Sequence, residues 1–156
     1  MCIRDSLRRR TNVGTLIQFD RSGAVGSISC NNTSTSYNTS SDYRLKENVV
    51  TLSDAITRFK TLKAYRFNFI ADKDVTVDGF LAHEVTAVPE AVTGTKDAVI
   101  TQEMVDNEEY EEGRLGEILP HGIDQAKLVP LLVAAVQEAI AKIEVLETEV
   151  AALNAG

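Results

Sequence analysis

The sequence has no uninterrupted apolar run close to the roughly 20 residues that a membrane-spanning helix needs. Its opening, Met1-Cys2-Ile3-Arg4-Asp5-Ser6, also lacks the apolar stretch of a secretory signal. No membrane partner and no export signal are therefore expected. Metal and nucleotide signatures are missing as well: there is no His-Glu-x-x-His, no Gly-x-x-x-x-Gly-Lys and no dinucleotide fingerprint. Neither a metal nor a cofactor is expected. Cysteine is scarce, and Cys2 and Cys30, with neither metal-ligand nor Cys-x-x-Cys spacing, read as incidental thiols. Positive charge is in deficit too. The formal net charge is −7 at pH 7, the opposite of the basic face that nucleic-acid binders present, so no nucleic-acid partner is expected. Much of the acidity is local, with seven acidic residues against Arg114 between Glu103 and Glu117. Without an Asp-x-Asp-x-Asp-Gly pattern, that run reads as a solvated loop rather than a calcium site.

What is present suits a soluble globular chain able to bury a core, with 44% hydrophobic and 25% charged residues. Its composition changes at Ser40–Ser41. Upstream, Ser22–Ser40 is rich in Ser, Thr, Asn and Gly, and reads as linker apart from short strands at 13–20 and 24–28 around the turn Asp20-Arg21-Ser22-Gly23. Those strands carry too little apolar surface to offset the ordering entropy of small polar residues, so they need neighbouring chains or a longer parent domain. Met1–Arg10 suits neither side of the boundary and is expected to be a scar of assembly or cloning.

Downstream, Leu52, Ala55, Ile56, Phe59 and Leu62 fall at helical spacing, which predicts a helix over 53–62 capped by Thr51 or Ser53. Over 64–70 the period changes to two, predicting a half-buried strand with Tyr65, Phe67 and Phe69 inward. Residues 72–78 then form a turn and 79–85 the partner strand of an antiparallel hairpin. Residues 87–92, with Pro89, read as an edge or loop, and 99–104 as a strand.

The C-terminal segment has the strongest periodicity. With Val129, Val136, Ile143 and Val150 at a, the d positions are Leu132, Ala139, Leu146 and Leu153, so all eight are apolar. Lys142 at g and Glu147 at the following e are placed for an interchain ion pair. Residues 136–153 therefore read as a parallel coiled coil. Residues 125–135 read as an amphipathic helix packed on its own domain, with Asp124 as N-cap, Leu128, Leu131 and Val133 widening the apolar face and Pro130 interrupting the ladder.

One motif coincides with the composition boundary: Ser41-Asp42-Tyr43-Arg44-Leu45-Lys46-Glu47-Asn48. Two more follow in order, Gly79-Phe80-Leu81-Ala82-His83-Glu84-Val85 with Pro89-Glu90-Ala91-Val92, and 122–132 leading into the C-terminal helix. Together, over about residues 41–153, they resemble the self-cleaving intramolecular chaperone domain at the C-terminus of phage tail spikes, tail fibres and endosialidases. The resemblance implies an α+β fold: a small antiparallel sheet with short helices and a long C-terminal coiled-coil helix, preceded by a β-rich fibre remnant. It divides the chain into the end of a fibre shaft or linker (1–40), a chaperone and autopeptidase core (41–128) and a coiled-coil helix (129–156). It implies a homotrimer acting on the upstream fibre domain of the same chain, in the host cytoplasm during phage assembly, with the parent fibre in the virion tail. A β-branched a with Leu at d favours dimers by rule, but Ile140 at e broadens the seam and the resemblance favours three chains.

The same resemblance makes Ser41 and Lys46 an autoproteolytic dyad cutting Ser40–Ser41. A serine hydroxyl needs a base beside it, and lysine serves only if its pKa falls from about 10.4 to about 7–8. Arg44 is a candidate cationic neighbour. Five residues of spacing put the two side chains about 140° apart on a helix and on opposite faces of a strand, so they meet only across a turn, at a helix start or between chains. His83 is a candidate to orient or polarise, and His121 reads as a loop residue. The other reading is a permanent, non-cleaving trimerisation tip or adhesin whose only working part is the coiled coil.

Overall fold

The structure is a computed structural model that describes residues 14–20 and 23–155. Met1–Arg10, Val13 and the Arg21-Ser22 half of the first turn lie outside the described residues. Backbone contacts separate two compact units, one reaching to Val50 and one starting at Thr51.

In the first unit, β1 (Gly14–Asp20), β2 (Ala24–Cys30) and β3 (Thr35–Thr39) form an antiparallel sheet in that order. The third strand lies in what reads as linker. It forms because Asn31 closes the hairpin, its side-chain oxygen accepting from the amides of Thr33 and Ser34 at 2.8 Å each. Asn38 then donates across the sheet to Ser29 at 3.1 Å. The strands approach so closely at Gly26 that a Cβ there would lie 2.8 Å from the Asn38 carbonyl oxygen. No described residue of the sheet is buried.

The second unit is α+β. Its core is Ala55, Val88, Ala91, Leu131 and Ala135, with Ile56, Leu62, Ile123 and Leu128 packed around it. α1 (Ala55–Phe59) is shorter than the predicted helix, and neither Thr51 nor Ser53 caps it, because its N-cap is Asp54 in the left-handed region at φ 55°. The predicted hairpin exists with a different second strand. β4 (Tyr65–Phe69) pairs with β5 (Asp72–Gly79), not with 79–85. Cross-strand bonds set that register: Arg66 donates to Asp78 at 2.8 Å, and the Asn68 amide to Thr76 at 3.1 Å. Residues 82–84 are a 3₁₀ turn. Of the three aromatics expected inward, Tyr65 and Phe67 are half-buried, whereas Phe69 is exposed and meets the edge of Phe67 at 5.4 Å.

Pro89 opens a 3₁₀ turn that leads into β6 (Val92–Thr93), paired with β7 (Gly122–Ile123). The strand expected at 99–104 is instead a single bridge, Val99 to Ile118, followed by α2 (Gln102–Asp106), whose first turn Thr101 caps. Asp124 does act as a cap, accepting from Ala126 at the 3₁₀ turn that runs into α3 (Val129–Asn154). Pro130 does not interrupt that helix. It lies in the first turn, where its missing N–H would have had no partner. α3 buries Leu131 and Ala135 against α1, while Val129, Leu132, Val136, Ile143, Leu146, Val150 and Leu153 remain exposed and Ala139 half-buried. Among the described residues no helix is long and apolar enough to cross a membrane.

Candidate functional site

After β3 the chain passes Ser40, whose amide donates to the Val25 carbonyl at 3.0 Å, and enters a single 3₁₀ turn, Tyr43–Leu45. Asp42 starts that turn, its carboxylate accepting from the Arg44 amide at 2.9 Å and from Arg44 Nε at 3.0 Å. The Lys46 amide closes it on the Tyr43 carbonyl at 3.1 Å. This turn overcomes the spacing problem. Lys46 Nζ donates to Ser41 Oγ at 2.7 Å, bringing the two predicted residues together beside the Ser40–Ser41 bond.

Both side chains are exposed in the single chain. Arg44 is not a free cation beside Lys46, because Asp42 is already paired with it. The Arg44 side chain, and then its backbone amide, hold the Asp42 carboxyl below the usual carboxylate range, with Lys46 adding a smaller effect. In the observed contact the ammonium donates to the hydroxyl oxygen. The reverse polarity, a neutral amine accepting the hydroxyl proton, is what nucleophilic attack by serine requires.

His83 belongs to the second unit, on the 3₁₀ turn after β5, and is exposed. With His121, Thr95, Lys96, Asp97 and Pro120 it lines an open cleft of about 330 Å³. Gly94, at φ +87°, lets the backbone lie against the His121 ring. His121 Nε2 is screened from solvent and has no hydrogen-bond partner among the described residues. Among the described residues no group of three or more His, Cys, Asp or Glu side chains could hold a metal.

The predicted seam residues line one stripe of α3, away from its own domain's core. Glu138, outside the predicted seam, has both oxygens bound: they accept from the amides of Ala55 at 2.8 Å and Ile56 at 3.0 Å. No signal in the sequence pointed to this role. α1 lacks a cap of its own, and a remote carboxylate supplies it.

Residues 41–93 match a peptidase-family model described as chaperone of endosialidase. The match starts at Ser41 and takes in the first two motifs, about a third of the chain, while the third motif lies beyond it. It supports a C-terminal intramolecular chaperone domain of phage tail proteins, and with it a chaperone role and a peptidase character. No curated protein matches the chain.

Proposed function

Starting from that match, we propose that the chain trimerises and aligns phage tail fibre chains, then releases itself by one self-cleavage at Ser40–Ser41. The observation that carries this is the 2.7 Å contact between Lys46 Nζ and Ser41 Oγ at the residue where the family match begins. With the amine neutral, Lys46 takes the hydroxyl proton as Oγ attacks the Ser40 carbonyl carbon. The tetrahedral intermediate collapses with loss of the C–N bond, and Lys46 returns the proton to the Ser41 nitrogen. The product is an ester of the Ser40 acyl group on Ser41 Oγ. Water hydrolyses it to a Ser40 carboxylate and a free Ser41 N-terminus. His83, a candidate for orienting or polarising, has no assigned step in this scheme. No cofactor enters it.

The apolar stripe of α3 is the trimer seam in this reading, and the upstream fibre domain of the same chain is the client. Assembly would take place in the host cytoplasm, with the released fibre destined for the virion tail. A coiled coil forms from local contacts and holds chains in register before slow, non-local β-pairing begins. Cutting it off afterwards makes the assembled state kinetically stable. The solvated Lys46 of the single chain favours a second reading, a non-cleaving trimerisation tip. Denaturing mass analysis of the purified full chain separates the two: self-cleavage gives fragments 1–40 and 41–156, and the tip gives one intact chain.

A further inference from the structure

Beside the seam, α3 borders a second apolar surface that its own domain leaves open. Leu52, Val129, Pro130, Val133, Ala134 and Ala141 line an open groove of about 680 Å³ between α3 and the segment before α1. Leu52 is 41% exposed and Val133 is 49% exposed, and neither belongs to the core cluster. The one acid lining the groove is Glu138, whose oxygens are already taken by the amides of Ala55 and Ile56. Those bonds, Ile56 first, hold its carboxyl below the usual range. An occupant therefore meets apolar surface, with only Thr51 and Gln137 as further polar groups.

The groove is shaped for a rod lying along α3. Val129, Val133, Gln137 and Ala141 recur at every fourth residue, so one flank of the helix lines it for about three turns. Counted from Val129 at about 100° per residue, Val133, Pro130 and Ala134 lie at about 40°, 100° and 140° around the helix. Leu131 and Ala135, which bury against α1, lie at about 200° and 240°, and the d position Leu132 at about 300°. The groove thus adjoins the a side of the seam and shares Val129 with it, while the chain's own domain closes the d side. The seam residues by themselves favour two chains, because a β-branched a with Leu at d does so by rule. A third chain gives each helix a second neighbour in a different direction. Only the groove side offers apolar surface for it.

Resting on the trimerisation proposed above, we infer that this groove is the surface that sets three chains rather than two: it takes the opposite flank of a second copy's α3, with the α1 that packs there. Closed symmetry makes the contact heterologous, since each groove receives the flank of the next chain round the ring. The a and d residues hold the helices together, and the groove decides how many there are.

The test uses the full chain with Ser41→Ala, so that every chain stays whole, and adds Leu52→Asp or Val133→Asp. Either change puts a charge into the groove and leaves every a and d position as it is. Light scattering at micromolar concentration should read three chains for the Ser41→Ala parent and two for each variant, with far-ultraviolet circular dichroism unchanged. Leu52 lies outside α3, so its variant acts through neither the helix nor the seam, and it keeps the inference testable if Val133→Asp fails to fold. Val145→Asp is the control. Val145 is 57% exposed but lies on neither the groove nor the seam, so that variant should stay at three chains. A Leu52→Asp protein that keeps three chains as stably as the parent would overturn the inference, because the groove would then be empty in the assembly. A folded Leu52→Asp protein of one chain would overturn it too, because the seam would not hold two chains by itself. A parent of one or two chains would instead refute the trimerisation reading, a failure visible before any groove residue is changed.

Discussion

Ile143 offers the sharpest test of assembly through α3. In the single chain its side chain is 52% exposed, and Leu146 and Val150 on the same stripe are 57% and 54% exposed. None of them belongs to the cluster of Ala55, Val88, Ala91, Leu131 and Ala135, so a change at Ile143 spares the chain's own core. Full burial of an isoleucine stabilises by about 1.5–3 kcal/mol, so the half still open represents about 1 kcal/mol per chain and about 3 kcal/mol over three chains. Ile143→Asp loses that contribution and places three carboxylates in one apolar layer. Desolvation costs several kcal/mol per buried ion even after relaxation, which brings the total to the order of 10 kcal/mol. Since about 1.4 kcal/mol is tenfold in a binding constant, association should weaken by several orders of magnitude. Light scattering at micromolar concentration should report three chains before the substitution and one after it, with far-ultraviolet circular dichroism as the control that the domain stays folded. An Ile143→Asp trimer as stable as the parent would refute the assignment of the seam to the a and d positions of α3.

Ser41→Ala, Lys46→Ala and Lys46→Arg should each give one intact full-length chain on denaturing mass analysis and three chains by light scattering, because both positions lie outside the seam and the core. Lys46→Arg is the informative one, since arginine keeps the charge but cannot lose its proton; cutting by that variant would reduce Lys46 to an electrostatic role. The Ile143→Asp monomer should stay uncut, and efficient cutting by it would separate cleavage from assembly. Acid should loosen α1. The Glu138 carboxyl has a folded pKa below its unfolded value of about 4.3, so its contribution to stability is present above that value and is lost as pH falls through the folded pKa. Thermal melts of the parent and Glu138→Gln should therefore converge in acid, and a constant gap between them from pH 7 to pH 3 would count against the cap that Glu138 gives α1.

The long C-terminal helix was legible because it rests on apolar periodicity, which needs no tertiary information, and Asp124 was legible as the cap of the 3₁₀ turn that leads into it. Aromatic alternation likewise exposed β4. Its partner was hidden because Asp72, Lys73 and Asp74 look like turn residues. Only the pairing of Asp78 with Arg66 and of Thr76 with Asn68 makes 72–79 a strand. β3 was hidden for a related reason. Its stabilisation comes from hydrogen bonds by Asn31 and Asn38 rather than from an apolar face. α2 is five residues long, and unlike α1 it has no apolar residues at helical spacing on both sides to reveal its period. At the candidate site, the motif pointed to Ser41 and Lys46, but spacing alone set them apart on any regular element. A 3₁₀ turn supplied what spacing could not. Glu138 was beyond reach, since the amides it binds belong to a helix whose start could not be placed to the residue.

The pairing of Arg44 with Asp42 narrows how Lys46 could become a base under the proposed reading. A neighbouring cation lowers a lysine pKa only if its charge is uncompensated, and here a carboxylate sits against the guanidinium. Burial is then the remaining means of favouring the neutral amine. The single chain does not supply burial, because Ser41 and Lys46 are both exposed. Neighbouring chains would have to supply it, and the stripe that would bring them together is also open in the single chain. Under the proposed reading, enclosure of Lys46 by neighbouring chains would couple cutting to assembly, and premature cutting would be avoided without any separate inhibitor.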